Sequence, residues 1–302
     1  MPKQLNHYLL LIINIFVVFT LAAQAEVIHQ EKSLYRNILV EDNGDLRCLK
    51  FNVKSTKSQQ SCFYKSQPHK LVFNYTKLLM SGLLLNPEPK RILIIGLGGG
   101  TMSNTLAQLF PNTHIDNVEI DDAVIKVARR YFGFYENEWV KSYNQDGRIF
   151  IKRALLKKQS YDWIILDAFN GDYIPEHLLT REFLQETKSL LSENGILTAN
   201  TFSLSELYAH ESATYKAVFG DFYQVRNLIN SNRIILVTRN GFISRAKQSK
   251  ILKQLVTKLQ KYDVDIKLLY RNMTLTQQHQ DWPDNTRLLT DQFSPANLLN
   301  VN

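Results

Sequence analysis

The sequence lacks the markers of several common functional classes. It has only two cysteines, Cys48 and Cys62, and neither has a nearby His in the sequence, so nothing indicates a nucleophilic thiol. No Gly-Lys-Ser/Thr stretch is present, which excludes a P-loop. RNP, zinc-finger and helix-turn-helix patterns are absent as well, so we interpret the net charge of +8 as a solvated basic surface and expect no nucleic-acid partner. We also predict no metal site.

Charge is scarce at the start of the chain, where Lys3 is the only charged residue before Glu26. A short apolar run follows Lys3 and ends in "AQA" at residues 23–25. This order predicts a secretory signal peptide over residues 1–25, with an uncleaved membrane anchor as the alternative. The protein is therefore expected to be exported, either periplasmic or anchored in the membrane and facing the periplasm.

The two cysteines lie in short strand-like runs, "LRCLKF" and "SCFYK", joined by a polar segment. A hairpin centred near Ser55 would place them opposite each other. Because an exported protein meets an oxidising compartment, a structural disulfide is expected, and two buried free thiols are the alternative. Residues 26–68 are predicted to form a small N-terminal β domain, which includes an Asn43-Gly44 hairpin turn.

From Arg91 onward, strand-like and helix-like segments alternate. The predicted strands are "RILIIGL", "HIDNVEI", "GRIFIKR", "DWIILDAF" and "GILTANTF", and the closing hairpin is "YQVRNLI" with "RIILVTR". Helices are predicted after most of them, one of them with Gly195 as its C-terminal signal, and "RAKQSKILKQLVTKLQK" is predicted to be an amphipathic helix. Before the first of these strands, residues 69–85 have helical apolar spacing and are predicted to form a further helix. Alternation of this kind predicts an α/β fold for residues 69–302, with a Rossmann-like, methyltransferase-type doubly wound sheet and one antiparallel strand at an edge.

A glycine-rich turn follows the first of these strands. Gly96, Gly98 and Gly100 let the backbone approach a ligand, and the next helix presents free N–H groups to it. Thr101 occupies the third position of a dinucleotide fingerprint, where a small residue is needed, which argues against a dinucleotide. Glu119 ends the second strand, where a carboxylate can accept both hydroxyls of a ribose, although an exposed strand-end acid is the alternative. The combination predicts a site for a single nucleoside such as S-adenosylmethionine or a relative.

Two further acids are placed at predicted strand ends. Asp146 precedes "GRIFI", where it could accept an adenine amino proton or simply belong to an Asp-Gly turn. Asp167 ends the fourth strand and faces any ligand on the first strand. A carboxylate there can orient or deprotonate an amine that attacks a sulfonium carbon, or it can cap its own loop.

At these residues the chain resembles the spermidine synthase (polyamine aminopropyltransferase) family. The resemblance covers residues 27–299 and rests on "LIIGLGGGTM", "VEID", "QDG", "LDAF" and the late "LLTDQFSPANLL". It implies a nucleoside pocket shaped by the three glycines, with Glu119 on the ribose, Asp146 on adenine and Asp167 as the catalytic aspartate that activates the attacking amine. Gln60 resembles the glutamine that contacts the nucleoside from the N-terminal unit. The residues that the resemblance places near the substrate are Tyr75, Asn170 and Asp172.

The chain departs from the family pattern on the amine side. Where the family's turn usually reads Gly-Gly-Gly-Asp-Gly, Leu97 replaces a glycine and Gly99 replaces the aspartate. Asn170 stands at the second Asp of the catalytic loop, and Thr76 stands where the family has a glutamate. A diamine dication needs several carboxylates to offset its desolvation, so the amine side is expected to be depleted of acids.

The resemblance implies an aminopropyltransferase that uses decarboxylated S-adenosylmethionine as co-substrate, holds no tightly bound cofactor and takes an amine acceptor. Two alternatives stay open: a methyltransferase that uses S-adenosylmethionine itself, and a non-catalytic binding protein of the cell envelope. The expected partners are a small-molecule amine or nucleoside and, by the resemblance, a second copy of the chain in a homodimer.

Overall fold

The computed structural model describes residues 25–51, 59–169, 174–226 and 231–293. The first unit is a four-stranded antiparallel sheet in the order β1-β2-β3-β4. Its strands are β1 (Glu26–Lys32), β2 (Asn37–Asn43), β3 (Leu46–Phe51) and β4 (Gln59–Tyr64). The inner face of this sheet packs on a helix of the second unit through Ile38, Val40 and Leu49. The predicted small β unit is therefore present.

The two cysteines face each other across β3 and β4. Cys48 pairs with Cys62 in the strand register, and their Cα atoms are 4.1 Å apart. The structure joins them in a disulfide that closes a segment with a sequence separation of 14. The expectation of a disulfide is confirmed, and it fastens the strand that carries Gln60 and Ser61.

The second unit contains an eight-stranded sheet. In chain order its strands are β5 (Arg91–Ile95), β6 (His114–Glu119), β7 (Val140–Asn144), β8 (Tyr161–Leu166), β9 (Leu191–Phe202), β10 (Tyr223–Arg226), β11 (Asn232–Thr238) and β12 (Thr274–Leu275). Their order across the sheet is β12-β10-β11-β9-β8-β5-β6-β7. The five strands β5 to β9 pair in parallel, whereas β11 is antiparallel to β9 and β10 is antiparallel to β11.

This topology confirms the predicted α/β fold and corrects one detail. The antiparallel strand β11 lies inside the sheet between β9 and β10, and not at an edge as predicted. In the hairpin, β10 pairs with the side of β11 that faces away from β9. The short β12 pairs antiparallel with β10 and forms the edge of the sheet. The sequence pattern identified the hairpin but carried no information about which of its strands would pair with β9.

Eight helices are described. They are α1 (Asn74–Leu79), α2 (Thr101–Leu109), α3 (Asp122–Tyr131), α4 (Gly147–Leu156), α5 (Arg181–Leu190), α6 (Tyr208–Phe219), α7 (Arg245–Gln260) and α8 (Ile266–Asn272). Side chains of β5 alternate between the two faces of the sheet, with Ile92 and Ile94 in the cluster that includes α7 and α8, and Leu93 and Ile95 in the cluster that includes α4 to α6. This alternation produces the expected doubly wound, two-faced core.

The segment "GRIFIKR" was predicted as a strand, and that prediction is wrong because it forms α4. Asp146 caps this helix, since its Oδ1 accepts a hydrogen bond from the Ile149 amide at 2.9 Å. The buried positions Gly147, Phe150, Ile151 and Ala154 follow helical spacing. The third strand is instead β7, whose largely exposed residues show no apolar run that would have indicated a strand.

Two predicted helix limits also differ from the structure. Gly195 is not the C-terminal signal of a helix, because α5 ends at Leu190 and Gly195 lies inside β9. A side chain at this glycine would collide with backbone atoms of Ser192 and Tyr161 within 3 Å. The apolar segment at residues 69–85 is only partly α-helical, since α1 passes into a 3₁₀ helix at Met80–Leu84. The amphipathic helix α7 is confirmed. In the described part of the chain, no helix is both long and apolar enough to span a bilayer.

Candidate active site

The carboxyl ends of β5, β6, β7 and β8 meet at one edge of the sheet. Backbone hydrogen bonds tie them together beyond the last paired residues: the Gly96 amide donates to the Val118 carbonyl at 2.8 Å, and the Asp167 amide donates to the Ile95 carbonyl at 2.8 Å. In parallel α/β sheets this edge is where ligands bind. The strand order therefore brings together Gly96, Glu119 and Asp167, which are far apart in the sequence.

The glycine turn fits tightly against its neighbours. At Gly96, with a φ of +97°, a Cβ would lie 2.3 Å from the carbonyl oxygen of Asp167. At Gly99, a Cβ would lie 2.7 Å from Oγ of Ser61 on β4 and 2.9 Å from Phe132. Gly99 is therefore glycine because the small N-terminal sheet packs against it, which gives a packing reason for the absence of the family's aspartate at this position.

A cavity of about 270 Å³ lies above this turn. Its walls come from both units, and they include all the sequence-predicted nucleoside residues except Gly100. The lining residues in question are Gln60, Gly96, Gly98, Glu119 and Asp146. Gly100 lies two residues after Gly98 as the N-cap of α2, in the left-handed conformation with a φ of +75°. The structure thus gathers the predicted nucleoside residues around one concave site.

Glu119 is held in one orientation at the floor of this cavity. Its two carboxylate oxygens accept hydrogen bonds from the backbone amides of Leu97 and Asp121, each at 3.1 Å. Burial raises the pKa of Glu119, and these two hydrogen bonds together with Arg36 oppose the rise. A buried acid fixed by two amides presents its remaining lone pairs to the cavity, which suits a ligand that carries hydroxyl groups.

Asp146 has both carboxylate oxygens engaged. One caps α4, and the other, Oδ2, lies 2.7 Å from Nε2 of His177. This hydrogen bond is the largest cause that lowers the pKa of Asp146, against the effect of burial. His177 also lines the cavity, so the base of a nucleoside would meet the Asp146–His177 pair together.

Asp167 is an acid of the cavity whose pKa lies well above its usual value. Burial raises its pKa to about 7, and hydrogen bonds from Asn200 and Tyr75 oppose this rise. The Asn200 side-chain amide donates to Oδ1 of Asp167 at 2.9 Å. The Tyr75 hydroxyl also lies 3.3 Å from the Gln60 carbonyl, and its pKa is raised well above the usual value by burial and by the charge of Asp167. A carboxyl group that titrates near neutral pH can accept a proton and release it again.

A second cavity, of about 540 Å³, adjoins the first. Gln60, Tyr75 and Phe169 line both, and Asn200 lines the second cavity while it donates to Asp167. Asp167 therefore lies at the boundary between the two cavities. This is the geometry that a transfer between two bound molecules requires.

The second cavity is rich in aromatic side chains. Phe73 stacks on Tyr75 with ring centroids 5.7 Å apart, and Phe169 meets Phe202 edge-on at 5.3 Å. Among its described acids, Glu206 is exposed, and the buried Glu211 is paired with Arg233 at 2.7 Å. Arg233 is fully buried, so it compensates most of the charge that Glu211 would otherwise present to a ligand.

Several predicted residues can now be placed. Tyr75 lies within hydrogen-bonding distance of Asp167 and lines both cavities, while its role toward a substrate stays a prediction. Thr76 lines the first cavity, and its hydroxyl donates to the Phe73 carbonyl at 2.7 Å. Asn170 and Asp172 lie outside the described residues.

Three residues were missed from the sequence. Asn200 is a buried polar residue near the end of an apolar strand, which was the available signal. His177 and Arg36 gave no signal, because each reaches the cavity through a contact with a segment distant in the sequence. Within the ranges that the structure describes, no group of three or more His, Cys, Asp and Glu side chains is placed to hold a metal ion.

Comparisons with known proteins agree with this geometry. The spermine/spermidine synthase domain matches residues 72–230, which is more than half of the chain. A polyamine aminopropyltransferase of Vibrio vulnificus is 49% identical over 278 residues, which cover 91% of this chain and 92% of that protein. The chain belongs to the spermine/spermidine synthase family.

Solved structures support the fold of this family member. A probable spermidine synthase from Corynebacterium glutamicum superposes with a TM-score of 0.69 at 20% identity, over 89% of this chain and 98% of that chain. Human methyltransferase-like protein 13, solved in complex with SAH, superposes with a TM-score of 0.55 at 25% identity, over 71% of this chain and 97% of that chain. The same architecture thus occurs in proteins described as a synthase and as a methyltransferase.

Proposed function

We propose that this protein is an aminopropyltransferase of the spermidine synthase type, which uses decarboxylated S-adenosylmethionine and an amine acceptor. One observation carries the proposal: Asp167, a partly exposed acid whose pKa is raised to about 7 by desolvation, lies where the first cavity meets the second. The 49% identity to a polyamine aminopropyltransferase across nearly the whole chain supports the same activity.

The reaction needs one proton acceptor and accurate positioning. The amine nitrogen of the acceptor attacks the methylene carbon next to the sulfonium sulfur, and a nitrogen–carbon bond forms as the carbon–sulfur bond breaks. The electron pair of the broken bond stays on sulfur, which gives neutral methylthioadenosine. The proton lost by the amine passes to Asp167 and then to solvent. Holding both reactants in line provides most of the rate enhancement.

The first cavity suits the nucleoside part of the co-substrate. We assign the ribose hydroxyls to Glu119 and the adenine edge to Asp146 with His177, while Gly96 and Gly98 allow the backbone to approach the sulfur-bearing end. All of these residues line the cavity, and the assignments of Glu119 and Asp146 rest also on their carboxylates, which backbone amides hold in place.

The second cavity suits the amine. Aromatic faces at Phe73, Tyr75, Phe169 and Phe202 attract an alkylammonium group by cation–π interaction, and they bury its methylene chain. This lining offers a different way to hold a cationic acceptor from the acids that the family pattern places near Asn170 and Thr76.

A methyltransferase that uses S-adenosylmethionine itself is the second candidate, because the human neighbour was solved with SAH. The turn at Gly99 also suits this candidate, because an aspartate there would repel the free carboxylate of S-adenosylmethionine and none is present. Because Ser61 and Phe132 crowd this position, the glycine has a packing cause of its own, and the missing acid therefore says little about the ligand. The 49% identity to a polyamine aminopropyltransferase favours aminopropyl transfer.

Calorimetry and turnover separate these functions. The mature protein is titrated with decarboxylated S-adenosylmethionine, S-adenosylmethionine and methylthioadenosine, and product is then followed with putrescine. We expect tightest binding of the decarboxylated form and transfer that is lost in Asp167→Asn but retained in Asp263→Asn, which removes an exposed carboxylate in the turn after α7. Preference for S-adenosylmethionine would favour the methyltransferase, and no binding of any of the three would leave a non-catalytic role.

We further propose that the protein is exported and works as a homodimer. The charge-poor N-terminal segment of residues 1–25 and the Cys48–Cys62 disulfide support export, with cleavage after Ala25 or retention as an anchor. The family resemblance supports the dimer. Cell fractionation with sequencing of the mature N-terminus tests the first point, and light scattering of the purified protein tests the second.

A further inference from the structure

Arg148 occupies an electrostatically unfavourable place in helix α4. It is the second residue of the helix, and after the Asp146 cap the first turn contains no acidic residue. The positive end of a helix dipole disfavours a cation at this position. The Arg148 side chain is also only 12% exposed. A guanidinium that is nearly buried at the N-terminus of a helix needs strong compensating contacts.

Two carboxylates supply those contacts. Nε and Nη2 of Arg148 donate to the two oxygens of Glu186 on α5 at 2.9 and 3.0 Å. Nη1 and Nη2 donate to the two oxygens of Asp291 at 2.7 and 2.8 Å. Hydrogen bonding to Arg148 is the largest cause that lowers the pKa of Asp291 to about 2. Two bidentate pairs fix the plane of the guanidinium as well as its position.

Asp291 belongs to the late "LLTDQFSPANLL" stretch, to which the proposed reaction assigns no role. The part of it that concerns us is the closing segment, residues 289–293. The Leu289 carbonyl accepts a hydrogen bond from the Arg181 amide at 2.8 Å, and the Asp291 amide donates to the Glu182 carboxylate at 3.0 Å. The closing segment is therefore fastened to the first turn of α5.

The N-termini of α4 and α5 also hold the two residues assigned to the base of the nucleoside. Asp146 caps α4, and its carboxylate accepts a further hydrogen bond from the Arg148 backbone amide. His177 lies just before the Thr180 cap of α5, and its Nε2 is 2.7 Å from Oδ2 of Asp146. The Thr180 side chain in turn forms a hydrogen bond with Asp291. Asp291 thus connects the two helix N-termini between which the Asp146–His177 pair forms.

We propose that the Arg148–Asp291 pair positions the Asp146–His177 pair for recognition of the amino edge of the base. The closing segment then sets the distance between the first turns of α4 and α5. Neither Arg148 nor Asp291 is among the residues that line the first cavity, so both act through the pair that does. The inference rests on the proposed nucleoside function of that cavity. It predicts that a residue near the end of the chain controls base selectivity.

The test compares nucleosides that differ only at the edge of the base. Wild-type protein, Arg148→Met and Asp291→Asn are titrated calorimetrically with methylthioadenosine and with methylthioinosine, in which an oxo group replaces the 6-amino group. The wild-type protein should prefer methylthioadenosine, because Asp146 accepts a hydrogen bond from the amino group. Each variant should lose about tenfold of this preference, since a hydrogen bond to a charged acceptor is misplaced.

Two further variants separate the link from other effects. The double variant of Arg148 and Asp291 should lose no more preference than either single variant, because both substitutions break the same link. Arg153→Met is the matched control, since Arg153 is an exposed arginine of the same helix and does not line the cavity. This control should keep the wild-type preference.

Each outcome decides the inference. Equal weakening of both nucleosides would show that the pair only stabilises the fold, and an unchanged preference would show that it has no part in base recognition; either result overturns the inference. Arg148→Lys keeps the charge but cannot form two bidentate pairs, so it should lose the preference as Arg148→Met does, and a retained preference would overturn the positioning role. If Arg148→Met does not fold, Asp291→Asn decides, since the Asp291 side chain is 43% exposed.

The wild-type protein distinguishes this inference from the function on which it rests. Failure to bind methylthioadenosine would overturn the proposed function. Equal binding of both nucleosides by the wild-type protein would overturn the base assignment of Asp146 and this inference with it. Tight and selective binding that neither variant alters would overturn the role of Arg148 and Asp291 alone.

Discussion

The activity should depend on pH through the ionisation of Asp167, and the side chain of Asn200 should determine the pH at which this ionisation occurs. The Asn200 amide donates to this carboxylate at 2.9 Å and stabilises its charged form more than its neutral form, which lowers the pKa. Removing the donor in Asn200→Ala should therefore raise the pKa of Asp167 above its value of about 7. A hydrogen bond to a charged group contributes roughly 1.5–3 kcal/mol, and water can replace part of it in the open cavity, so we expect an increase of about one pH unit.

The assay is the pH profile of kcat/KM, which reports the ionisation of the free enzyme. Activity requires the deprotonated carboxylate, so the wild-type protein should gain activity as the pH rises through about 7, and Asn200→Ala should do so at higher pH. The amine substrate also titrates, but it does so identically for both proteins, so the difference between the two midpoints belongs to Asp167. An unchanged midpoint, or one at lower pH, would refute the assigned role of Asn200.

The same ionisation affects stability with a defined sign. The folded pKa of about 7 lies above the usual value of 3.8, so the folded protein binds the proton more tightly than the unfolded chain. The stabilisation is complete below pH 3.8 and is lost as the pH rises through about 7, by at most roughly 4 kcal/mol. Asp167→Asn should therefore be more stable than the wild-type protein at pH 8 and equal to it at pH 4 in urea unfolding. A less stable Asp167→Asn at pH 8 would contradict the burial argument.

Two further predictions concern the framework of the site. Replacing both Cys48 and Cys62 by Ser should lower the free energy of unfolding by about 3 kcal/mol, because the disulfide restricts the unfolded chain by joining residues with a sequence separation of 14. Urea titration measures the loss. Two titratable thiols in the unreduced wild-type protein would contradict the disulfide. Gly96→Ala should lower the free energy of unfolding by roughly 3 kcal/mol or more, since its Cβ would lie 2.3 Å from a carbonyl oxygen. Gly133→Ala is also at positive φ but has nothing within 4 Å, so it should lower that free energy by only about 1–2 kcal/mol. Equal losses in urea unfolding would show that the backbone conformation alone requires the glycine.

The sequence determined the fold class and most of the nucleoside residues. Buried parallel strands read as continuous apolar runs, and the residues that follow them meet at one edge whatever the loops do, so Gly96, Glu119 and Asp167 could be grouped from their positions alone. The hairpin register of Cys48 and Cys62 was also accessible, because the connecting segment is short. The segment after Asp146 was misread because its apolar run suits a strand and a helix equally. The local signal for the helix is Asp146 itself, a favoured N-cap residue whose side chain accepts from the Ile149 amide three residues later.

Only the tertiary structure decided which side chains contact the acids of the site. Three contacts of the site join segments that are separated by 31 residues or more in the sequence. They are the hydrogen bond from Asn200 to Asp167, the contact of His177 with Asp146, and the contact of Arg36 with Phe169 at the cavity. No local pattern encodes such contacts, since they depend on which strands become neighbours and on how the small sheet packs on the large one. The raised pKa of Asp167 has the same origin: the sequence supplied a carboxylate at a strand end, and only the surrounding burial made it a group that titrates near neutral pH.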